Sequence, residues 1–262
     1  FKVFAEIAQK IGAERIATGH YANIERTNSS IQLKKGKDPE KDQSYFLSGL
    51  NQEQLKFSMF PLGEMKKKEV RQIAKKYNLV NSEKKSTSGI CFIEQKSFRD
   101  FITNYIKDKP GDIQTMEKVI IGEHRGLHFY TIGQRKGLGI GGMRNAQNSP
   151  WFVVNKDLTR NILYVAQGID HPALLSNKLV ASNAFWIEGE SPNFPLCCSA
   201  KIRYRQIDQA CEIELHENEK LYVTFKDPQR AIAPGQMIVF YEGDLCLGNA
   251  IIETNCNLNN FY

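Results

Sequence analysis

The sequence has little of what marks membrane-spanning and zinc-binding proteins. No uninterrupted apolar run in its 262 residues approaches the roughly 18 residues that a membrane span needs, and no basic-then-apolar leader opens the chain. Its six cysteines form no CxxC pair and have no histidine at metal-ligand spacing, which argues against a zinc site. Hydrophobic residues make up 41% and charged residues 24% of the chain, as in folded soluble proteins. We therefore expect a cytoplasmic protein with no membrane contact and no structural metal.

The sequence also lacks a helix where its glycine-rich segment would need one. Residues 137–142 spell Gly-Leu-Gly-Ile-Gly-Gly, which contains a formal GxGxxG. A dinucleotide fingerprint requires a following helix that receives the pyrophosphate, whereas residues 143–150 have the composition of a loop. Because Gln134, Arg135 and Lys136 precede it, we interpret the segment as a basic loop that closes over a phosphate backbone or over the catalytic strand.

Positive charge is concentrated in the first part of the chain. Residues 1–100 contain 19 Lys and Arg against 12 Asp and Glu, an excess of +7, whereas the remainder contains 16 against 17, an excess of −1. Clustered cations favour a polyanion such as nucleic acid, because phosphate contacts release counterions and give sequence-independent affinity. A solvated lysine surface would give the same count, so charge alone leaves both explanations open.

Hydrophobic spacing in the first hundred residues predicts an α/β arrangement. Apolar residues at positions 4, 7, 8 and 11, followed by Gly12, predict an amphipathic helix. Residues 15–17 predict a buried strand that ends in the loop 18–20, where ligands of α/β sheets bind. Residues 23–50 predict a hairpin and connector. Residues 65–78 predict a helix with one basic face and an apolar face formed by Val70, Ile73, Ala74 and Tyr77.

Short alternating segments follow the break at Lys109-Pro110-Gly111 and predict β-structure. They read HFYTIG, PWFVV, ILYVAQG, CEIEL, LYVTF and MIVFY, and Gly, Pro, Asn and Asp separate them. Regularly spaced short strands are typical of small β-rich domains, barrels and sandwiches. We therefore expect a β-rich small domain followed by an antiparallel barrel or sandwich.

Two segments in the first half combine residue types that suit RNA contacts. Gly19 would let the backbone approach a ligand that a side chain would block, and the neighbouring His20 could stack on or hydrogen-bond a base. Residues 41–46, KDQSYF, bring together a cation, a carboxylate, an amide and aromatic rings, a mix that reaches phosphates and base edges. A satisfied polar histidine and a charged strand edge are the structural alternatives.

Cys91 is the candidate reactive cysteine. It lies in STSGICFI, residues 86–93, where small polar residues and a glycine precede a short apolar run. A thiol at the entry of a loop into a strand is presented to a substrate while its apolar neighbours anchor the segment. Lys84 and Lys85 would favour a thiolate or an anionic persulfide. A buried, inert thiol is the alternative.

Two further segments near the C-terminus carry candidate RNA contacts. Arg203-Tyr204-Arg205-Gln206 interleaves guanidinium, aromatic and amide groups, and we predict it to be a β-strand whose two arginines share one face toward RNA phosphates. Pro234-Gly235-Gln236 predicts a turn between strands with an amide at its tip, for which an ordinary turn is the alternative.

In this order, the segments ATGHY, KDQSYF, SGICFI, GLHFYTIGQRKGLGIGG, PWFVV, RYRQ and APGQ resemble those of the tRNA-specific 2-thiouridylases. The resemblance covers essentially the whole chain, and the long string at 126–142 beside GICF is highly specific. It implies an α/β plus β fold: the remainder of an ATP pyrophosphatase-type (adenine nucleotide alpha hydrolase-like) α/β domain over residues 1–96, a small central domain over 97–171, and a C-terminal antiparallel β-barrel that binds tRNA over 172–262.

The resemblance also implies a reaction. Family members replace the 2-oxygen of the wobble uridine in the tRNAs for glutamate, glutamine and lysine with sulfur. ATP, with Mg²⁺, adenylates the carbonyl oxygen so that AMP becomes the leaving group, and a persulfide on the cysteine that matches Cys91, supplied by a sulfur-relay donor protein, attacks the ring carbon. By motif, Gly19 matches an ATP contact. The positions that match tRNA contacts are His20, Lys41, Asp42, Gln43, Arg203, Tyr204 and Gln236.

Family members carry further catalytic elements upstream of the position that matches Phe1, namely an SGGxDS phosphate loop and a first catalytic cysteine. Because the sequence begins at Phe1, we expect a fragment that binds tRNA weakly but neither hydrolyses ATP nor transfers sulfur by itself. Two other interpretations stay open: a non-catalytic tRNA-binding module, and another ATP pyrophosphatase-superfamily enzyme that adenylates a different substrate.

Overall fold

A computed structural model describes residues 1–84, 102–140 and 149–255. The described residues fall into two compact units. Unit 1 comprises Phe1–Lys84, Asn177–Asp227 and Pro234–Thr254, and unit 2 comprises residues 102–140, 149–176, 228–233 and 255. Within these ranges no helix has the length and apolar character needed to cross a bilayer.

The first part of unit 1 has the predicted α/β character. Its elements are α1 (Lys2–Lys10), β1 (Ile16–Ala17), β2 (Ala22–Arg26), β3 (Ile31–Lys35), α2 (Ser44–Leu47), α3 (Gln52–Phe57), β4 (Ser58–Met59) and α4 (Lys67–Lys76). Strand β1 pairs in parallel with β4, while β2 and β3 form an antiparallel hairpin. The carboxyl end of β1 therefore opens into the loop 18–20, as the sequence predicts.

The basic helix α4 forms as predicted, but its predicted apolar face is largely exposed. Ile73 is 44% and Tyr77 68% exposed, and no residue of the helix is fully buried. A helix that buries little apolar surface owes its position to contacts at its ends, and here the Lys67 amide at the N-terminus donates to Asp38 Oδ2 at 2.9 Å.

The predicted barrel lies largely in the second part of unit 1 and is made of six antiparallel strands. They are β9 (Leu175–Trp186), β10 (Leu196–Lys201), β11 (Gln209–His216), β12 (Lys220–Arg230), β13 (Met237–Glu242) and β14 (Leu245–Asn255). The strand order is β13-β10-β11-β12-β9-β14, and the pairing of β13 with β14 closes the ring. The hairpin β2–β3 adds to this sheet through β14, where Leu245 is in register with Lys34 and Cys246 with Leu33.

The α/β part and the barrel of unit 1 share one hydrophobic core. Leu33 and Leu55 from the first part pack with Val239 and Tyr241 from the barrel, and all four are fully buried. Burying one leucine contributes about 1.5–3 kcal/mol, so this shared core holds the two parts as one folded unit. The three-part division at 1–96, 97–171 and 172–262 stays a prediction.

Unit 2 is built on a four-stranded sheet. Its strands are β5 (Gly111–Thr115), β6 (Ile120–His124), β7 (Trp151–Asp157) and β8 (Ile162–Gln167), in the order β6-β5-β8-β7. Strands β5 and β8 are parallel, and the other pairs are antiparallel. Ile113, Val153 and Leu163 are fully buried and form the centre of its core.

Two predicted strands are wrong. In HFYTIG, Leu127–Phe129 is a 3₁₀ turn, because the amides of Phe129 and Tyr130 donate to Gly126 O and Leu127 O rather than to a neighbouring strand. Strand β10 ends at Lys201, so residues 203–206 form a turn instead of a strand. Arg205 there has φ +67°, a left-handed conformation that lies outside the β region of regular strands, and the arginines therefore do not line one face of a sheet.

Candidate nucleic-acid interface

The loop after β1 presents Gly19 and half-buries His20. His20 Nδ1 lies 2.8 Å from Thr18 Oγ1, and its ring meets Phe60 edge-on at 5.9 Å between centroids. Burial lowers the pKa of His20 below its ordinary value, so the imidazole is neutral at pH 7. Gly19 is exposed, and a Cβ built on it would meet only Leu62 Cδ1, at 3.8 Å. Among the described residues, no neighbour requires glycine here.

Gln43 joins this loop to the segment 41–43. The Tyr21 amide donates to Gln43 Oε1 at 3.0 Å, and the Gln43 amide donates to Tyr21 O at 2.8 Å. Because Tyr21 directly follows His20, this pair of bonds fixes the loop 18–20 against the chain that carries Lys41. Two motifs that are about twenty residues apart in sequence are thus neighbours.

Asp42 faces inward and is only 7% exposed. Its Oδ1 accepts from the amides of Gly36 (3.0 Å) and Ser44 (3.1 Å), and its Oδ2 accepts from Ser44 Oγ at 2.9 Å. The Lys201 ammonium lies 3.7 Å from Oδ2. A carboxylate with this many donors fixes the conformation of the backbone on either side of it. Asp42 therefore positions its neighbours Lys41 and Gln43.

Asp42 belongs to a group of charged and aromatic side chains that we call the inner cluster. Its members are Lys35, Asp42, Lys201, Asp208 and Tyr241. Lys35 pairs with Asp208, and Lys201 lies 3.4 Å from the same carboxylate. Both ammonium groups stand over the Tyr241 ring, at 4.6 and 5.1 Å from its centroid. Burial raises the pKa of Tyr241 far above its ordinary value, so its hydroxyl stays protonated opposite Ser44 Oγ, 3.2 Å away.

Tyr45 brings the two barrel motifs to the segment 41–43. Its hydroxyl donates to Met237 O at 2.8 Å, next to Gln236, and burial raises the pKa of Tyr45 to about 12. Its ring lies 6.4 Å from that of Tyr204, and the neighbouring Phe46 ring lies 4.4 Å from Tyr204. The turn at 203–206 and the turn before β13 therefore both approach α2.

The two barrel turns are internally fixed. Gln206 Oε1 accepts from the Ile202 amide at 2.8 Å, and the Arg205 guanidinium stands 5.4 Å over the Tyr204 ring. In the other turn, Gly235 has φ +83°, and the Ile252 amide donates to Gln236 O at 2.9 Å. The Gln236 side chain is partly exposed, so its amide group is available to a ligand.

Three cations lie close enough to Lys67 to repel its charge, and we call the four together the cationic patch. They are Lys41, Lys67, Arg71 and Arg205. Burial lowers the pKa of Lys67, and repulsion from the other three lowers it further, while Asp38 acts in the opposite direction. The sequence indicates a basic face on α4 but does not distinguish Lys67 from the other lysines there. Nor does it show that Arg205, more than a hundred residues later, lies near Lys67. Like charges gathered in this way favour a polyanionic ligand.

The structure brings together most of the predicted site residues. His20, Lys41, Asp42, Gln43, Arg203, Tyr204 and Gln236 all belong to unit 1. Cys91 lies outside the described residues. Four cysteines are described, Cys197, Cys198, Cys211 and Cys246, and all are free thiols. The described ranges contain no group of three or more His, Cys, Asp or Glu that could hold a metal ion.

Comparison with known proteins covers nearly the whole chain. Residues 1–95 match the family model of the tRNA methyl transferase HUP domain, residues 99–167 that of the tRNA methyl transferase PRC-barrel domain, and residues 176–252 that of the aminomethyltransferase beta-barrel domain. The HUP assignment agrees with the α/β elements at the N-terminus, and the last assignment agrees with the six-stranded barrel.

Individual relatives carry a more specific name. The chain is 50% identical over 253 residues to the tRNA-specific 2-thiouridylase of Geobacillus kaustophilus, covering 97% of this chain and 68% of that protein. It is 50% identical over 252 residues to that of Nitrosomonas eutropha, covering 96% and 70%, and 50% identical over 253 residues to that of Coxiella burnetii, covering 97% and 70%.

Proposed function

Because this chain belongs to the family of the tRNA-specific 2-thiouridylases, we propose that it acts in the ATP-dependent 2-thiolation of the wobble uridine in the tRNAs for glutamate, glutamine and lysine. The observation that carries the tRNA part of the proposal is the cationic patch. Within it, Arg205 stands over the Tyr204 ring and Lys41 is two residues from Gln43. RNA contacts combine phosphate-binding cations with groups that stack on or hydrogen-bond bases in this way.

Of the seven residues that match tRNA contacts, six contact the tRNA directly and one acts by positioning its neighbours. Lys41, Arg203 and Tyr204 contact the tRNA, together with His20, Gln43 and Gln236. Asp42 acts through its neighbours, since its carboxylate accepts hydrogen bonds from Gly36 and Ser44 and is almost fully buried. His20 is neutral at pH 7 and offers a ring face and one nitrogen rather than a charge, which suits a base better than a phosphate.

ATP activates the uridine carbonyl by adenylating its oxygen. That oxygen then leaves as part of AMP. Gly19 contacts the nucleotide through its backbone. In support of this assignment, Gly19 is exposed at the carboxyl end of β1, and a Cβ there would make only an ordinary contact at 3.8 Å. The described fold gives no reason for glycine, whereas the close approach of a ligand to the backbone does. Mg²⁺ accompanies the nucleotide.

Cys91 carries the transferred sulfur as a persulfide, which a sulfur-relay donor protein supplies. The terminal sulfur attacks the activated ring carbon, and AMP departs with the oxygen. The family's first catalytic cysteine then attacks the Cys91 sulfur as a thiolate, which breaks the S–S bond, forms a disulfide between the two cysteines and leaves the sulfur atom on the uridine. A persulfide suits this step because it is a good nucleophile at neutral pH.

The test is Cys91→Ser in the full-length protein, with Cys197→Ser as the matched control. Serine holds no persulfide, so we expect thiolated tRNA to disappear while tRNA binding and the circular dichroism spectrum stay unchanged. Thiolation is measured by retarded migration of the tRNA in a mercury-containing gel. Cys197 is exposed on the barrel, and its variant should thiolate normally. Wild-type levels of thiolated tRNA from Cys91→Ser would refute the assignment.

A further inference from the structure

Two thiols face each other across neighbouring strands of the barrel. Cys198 on β10 is in register with Cys211 on β11, and their sulfur atoms are 3.8 Å apart. Directly opposed residues of an antiparallel pair have Cα atoms about 4.5–5.5 Å apart, and disulfides join Cα atoms about 4.4–6.8 Å apart. A Cys198–Cys211 disulfide therefore fits the existing backbone with a change of side-chain rotamers alone.

A small molecule can reach this pair. An open surface depression of about 520 Å³ is lined by Cys197, Cys198 and Cys211 together with Glu212 and Lys226. Cys198 is partly exposed, whereas Cys211 is buried, so a molecule that enters from the surface meets Cys198 first.

We propose that Cys198 and Cys211 form a redox pair, a dithiol that low-molecular-weight disulfides convert reversibly into a cross-strand disulfide. The Cys198 thiolate attacks one sulfur of the small disulfide and expels the other as a thiolate, which leaves a mixed disulfide on Cys198. The Cys211 sulfur then attacks Cys198 Sγ, the second small thiolate departs, and the proton of Cys211 passes to it. In total the protein loses two hydrogen atoms and one small disulfide becomes two thiols.

The order of the two attacks follows from the surroundings of the thiols. A hydrogen bond with Cys198, and then burial, raise the pKa of the Cys211 thiol far above its ordinary value. Cys211 therefore stays protonated until the mixed disulfide stands beside it. Such a thiol resolves an intermediate but does not start the exchange.

The disulfide would close the base of a hairpin whose far end is the turn at 203–206. Residues 199–210 connect the two cysteines, so oxidation would cross-link the strands on both sides of this turn and limit its local opening. The redox pair itself does not depend on the proposed RNA function, because its geometry and its chemistry lie within the hairpin.

The pair is tested by exposing the reduced, folded protein to oxidised glutathione, blocking the remaining thiols by alkylation, and digesting with trypsin. Cleavage after Lys178, Lys201, Arg205 and Lys220 gives the peptides 179–201 and 206–220. We expect a linked peptide pair that is two hydrogen atoms lighter than the sum of the two free peptides and that dithiothreitol separates. If these peptides carry only glutathione or the alkylating label, the proposal is wrong.

Three variants assign the sulfur atoms, because peptide 179–201 also contains Cys197. Cys197→Ser should keep the linked pair, whereas Cys198→Ser and Cys211→Ser should lose it. Loss of the link in Cys197→Ser, or its persistence in Cys198→Ser, would overturn the pairing. Since Cys211→Ser places a hydroxyl in a buried position, the Cys197→Ser and Cys198→Ser results decide the pairing even if that variant fails to fold.

In the folded protein, oxidation should slow tryptic cleavage after Arg203 and Arg205 at least several-fold. An unchanged rate of cleavage would show that the disulfide does not restrain the turn.

Discussion

The inner cluster and the cationic patch are built from neighbouring residues but follow opposite electrostatic rules. Asp42 lies in the inner cluster, where carboxylates, ammonium groups and a tyrosine ring satisfy one another. Lys41, the residue before it, lies in the cationic patch, where like charges repel. Adjacent residues of one motif therefore have different roles. Asp42 stabilises the fold, and Lys41 is available to bind a polyanion.

The largest expected effect comes from breaking the inner cluster with Asp42→Ala. This change leaves the part-buried Gly36 amide and the buried Ser44 amide without their acceptor and Lys201 without one of its two carboxylates. We therefore expect a loss of about 3 kcal/mol in the free energy of unfolding. Urea denaturation measures it. The matched control is Lys41→Ala, which should stay within about 0.5 kcal/mol of the wild type. Equal losses of unfolding free energy in Asp42→Ala and Lys41→Ala would contradict the distinction between the inner cluster and the cationic patch.

A pair of glycine substitutions gives the next largest contrast. A Cβ on Gly63 would lie 2.0 Å from Asn23 Oδ1 and 2.1 Å from Ala22 O, so Gly63→Ala should cost about 1–3 kcal/mol by overpacking. A Cβ on Gly19 would make only an ordinary contact with Leu62 Cδ1, at 3.8 Å. Gly19→Ala should therefore change stability by less than about 0.5 kcal/mol yet weaken ATP binding by the full-length protein. Isothermal titration with ATP tests the second part, and unaltered affinity would remove Gly19 from the nucleotide site.

Alkaline pH should weaken the anchor between α2 and the barrel. The pKa of Tyr45 is raised to about 12 in the folded chain, against about 10 when unfolded. Between these values the unfolded state binds fewer protons, so stability is complete below pH 10 and is lost as pH rises toward 12, by at most about 1.4 kcal/mol per pH unit for this group. Tyr45→Phe should remove this part of the decline in denaturation curves recorded from pH 9 to 12. An identical pH dependence in the variant would contradict the buried, protonated hydroxyl.

The smallest effects concern the cationic patch and its neighbour Arg203. Lys41→Ala and Arg203→Ala should each weaken tRNA binding more at low salt than at high salt, and each should lower the salt slope by about one phosphate contact. Filter binding between low and moderate salt measures the slope. Lys10→Ala, an exposed cation at the end of α1, is the control and should leave it unchanged. A slope equal to that of the wild type would make Lys41 or Arg203 a bystander.

Local sequence patterns predict most helices and strands, but they do not predict contacts that depend on strand order and register. Five of the six β segments predicted after Pro110 are strands, because short runs rich in β-branched and aromatic residues between turn residues identify a strand from its own sequence. The turn at 203–206 was missed because arginine and tyrosine tolerate strands well, while the left-handed Arg205 and the bond from Ile202 to Gln206 are set by the fold. The same holds for the pairs Asp42 with Lys201 and Cys198 with Cys211. Each needs the order and register of strands, which spacing along the chain does not encode.

The pairing of β3 with β14 has a consequence for synthesis on the ribosome. Leu33 reaches its final partner only when Cys246 has been made, more than two hundred residues later. At about 5–20 residues per second, the edge of β3 waits roughly 10–40 s for the strand that covers it. During translation the nascent hairpin therefore presents an open, partly apolar strand edge, which is the kind of surface that nascent-chain chaperones shield from other polypeptides.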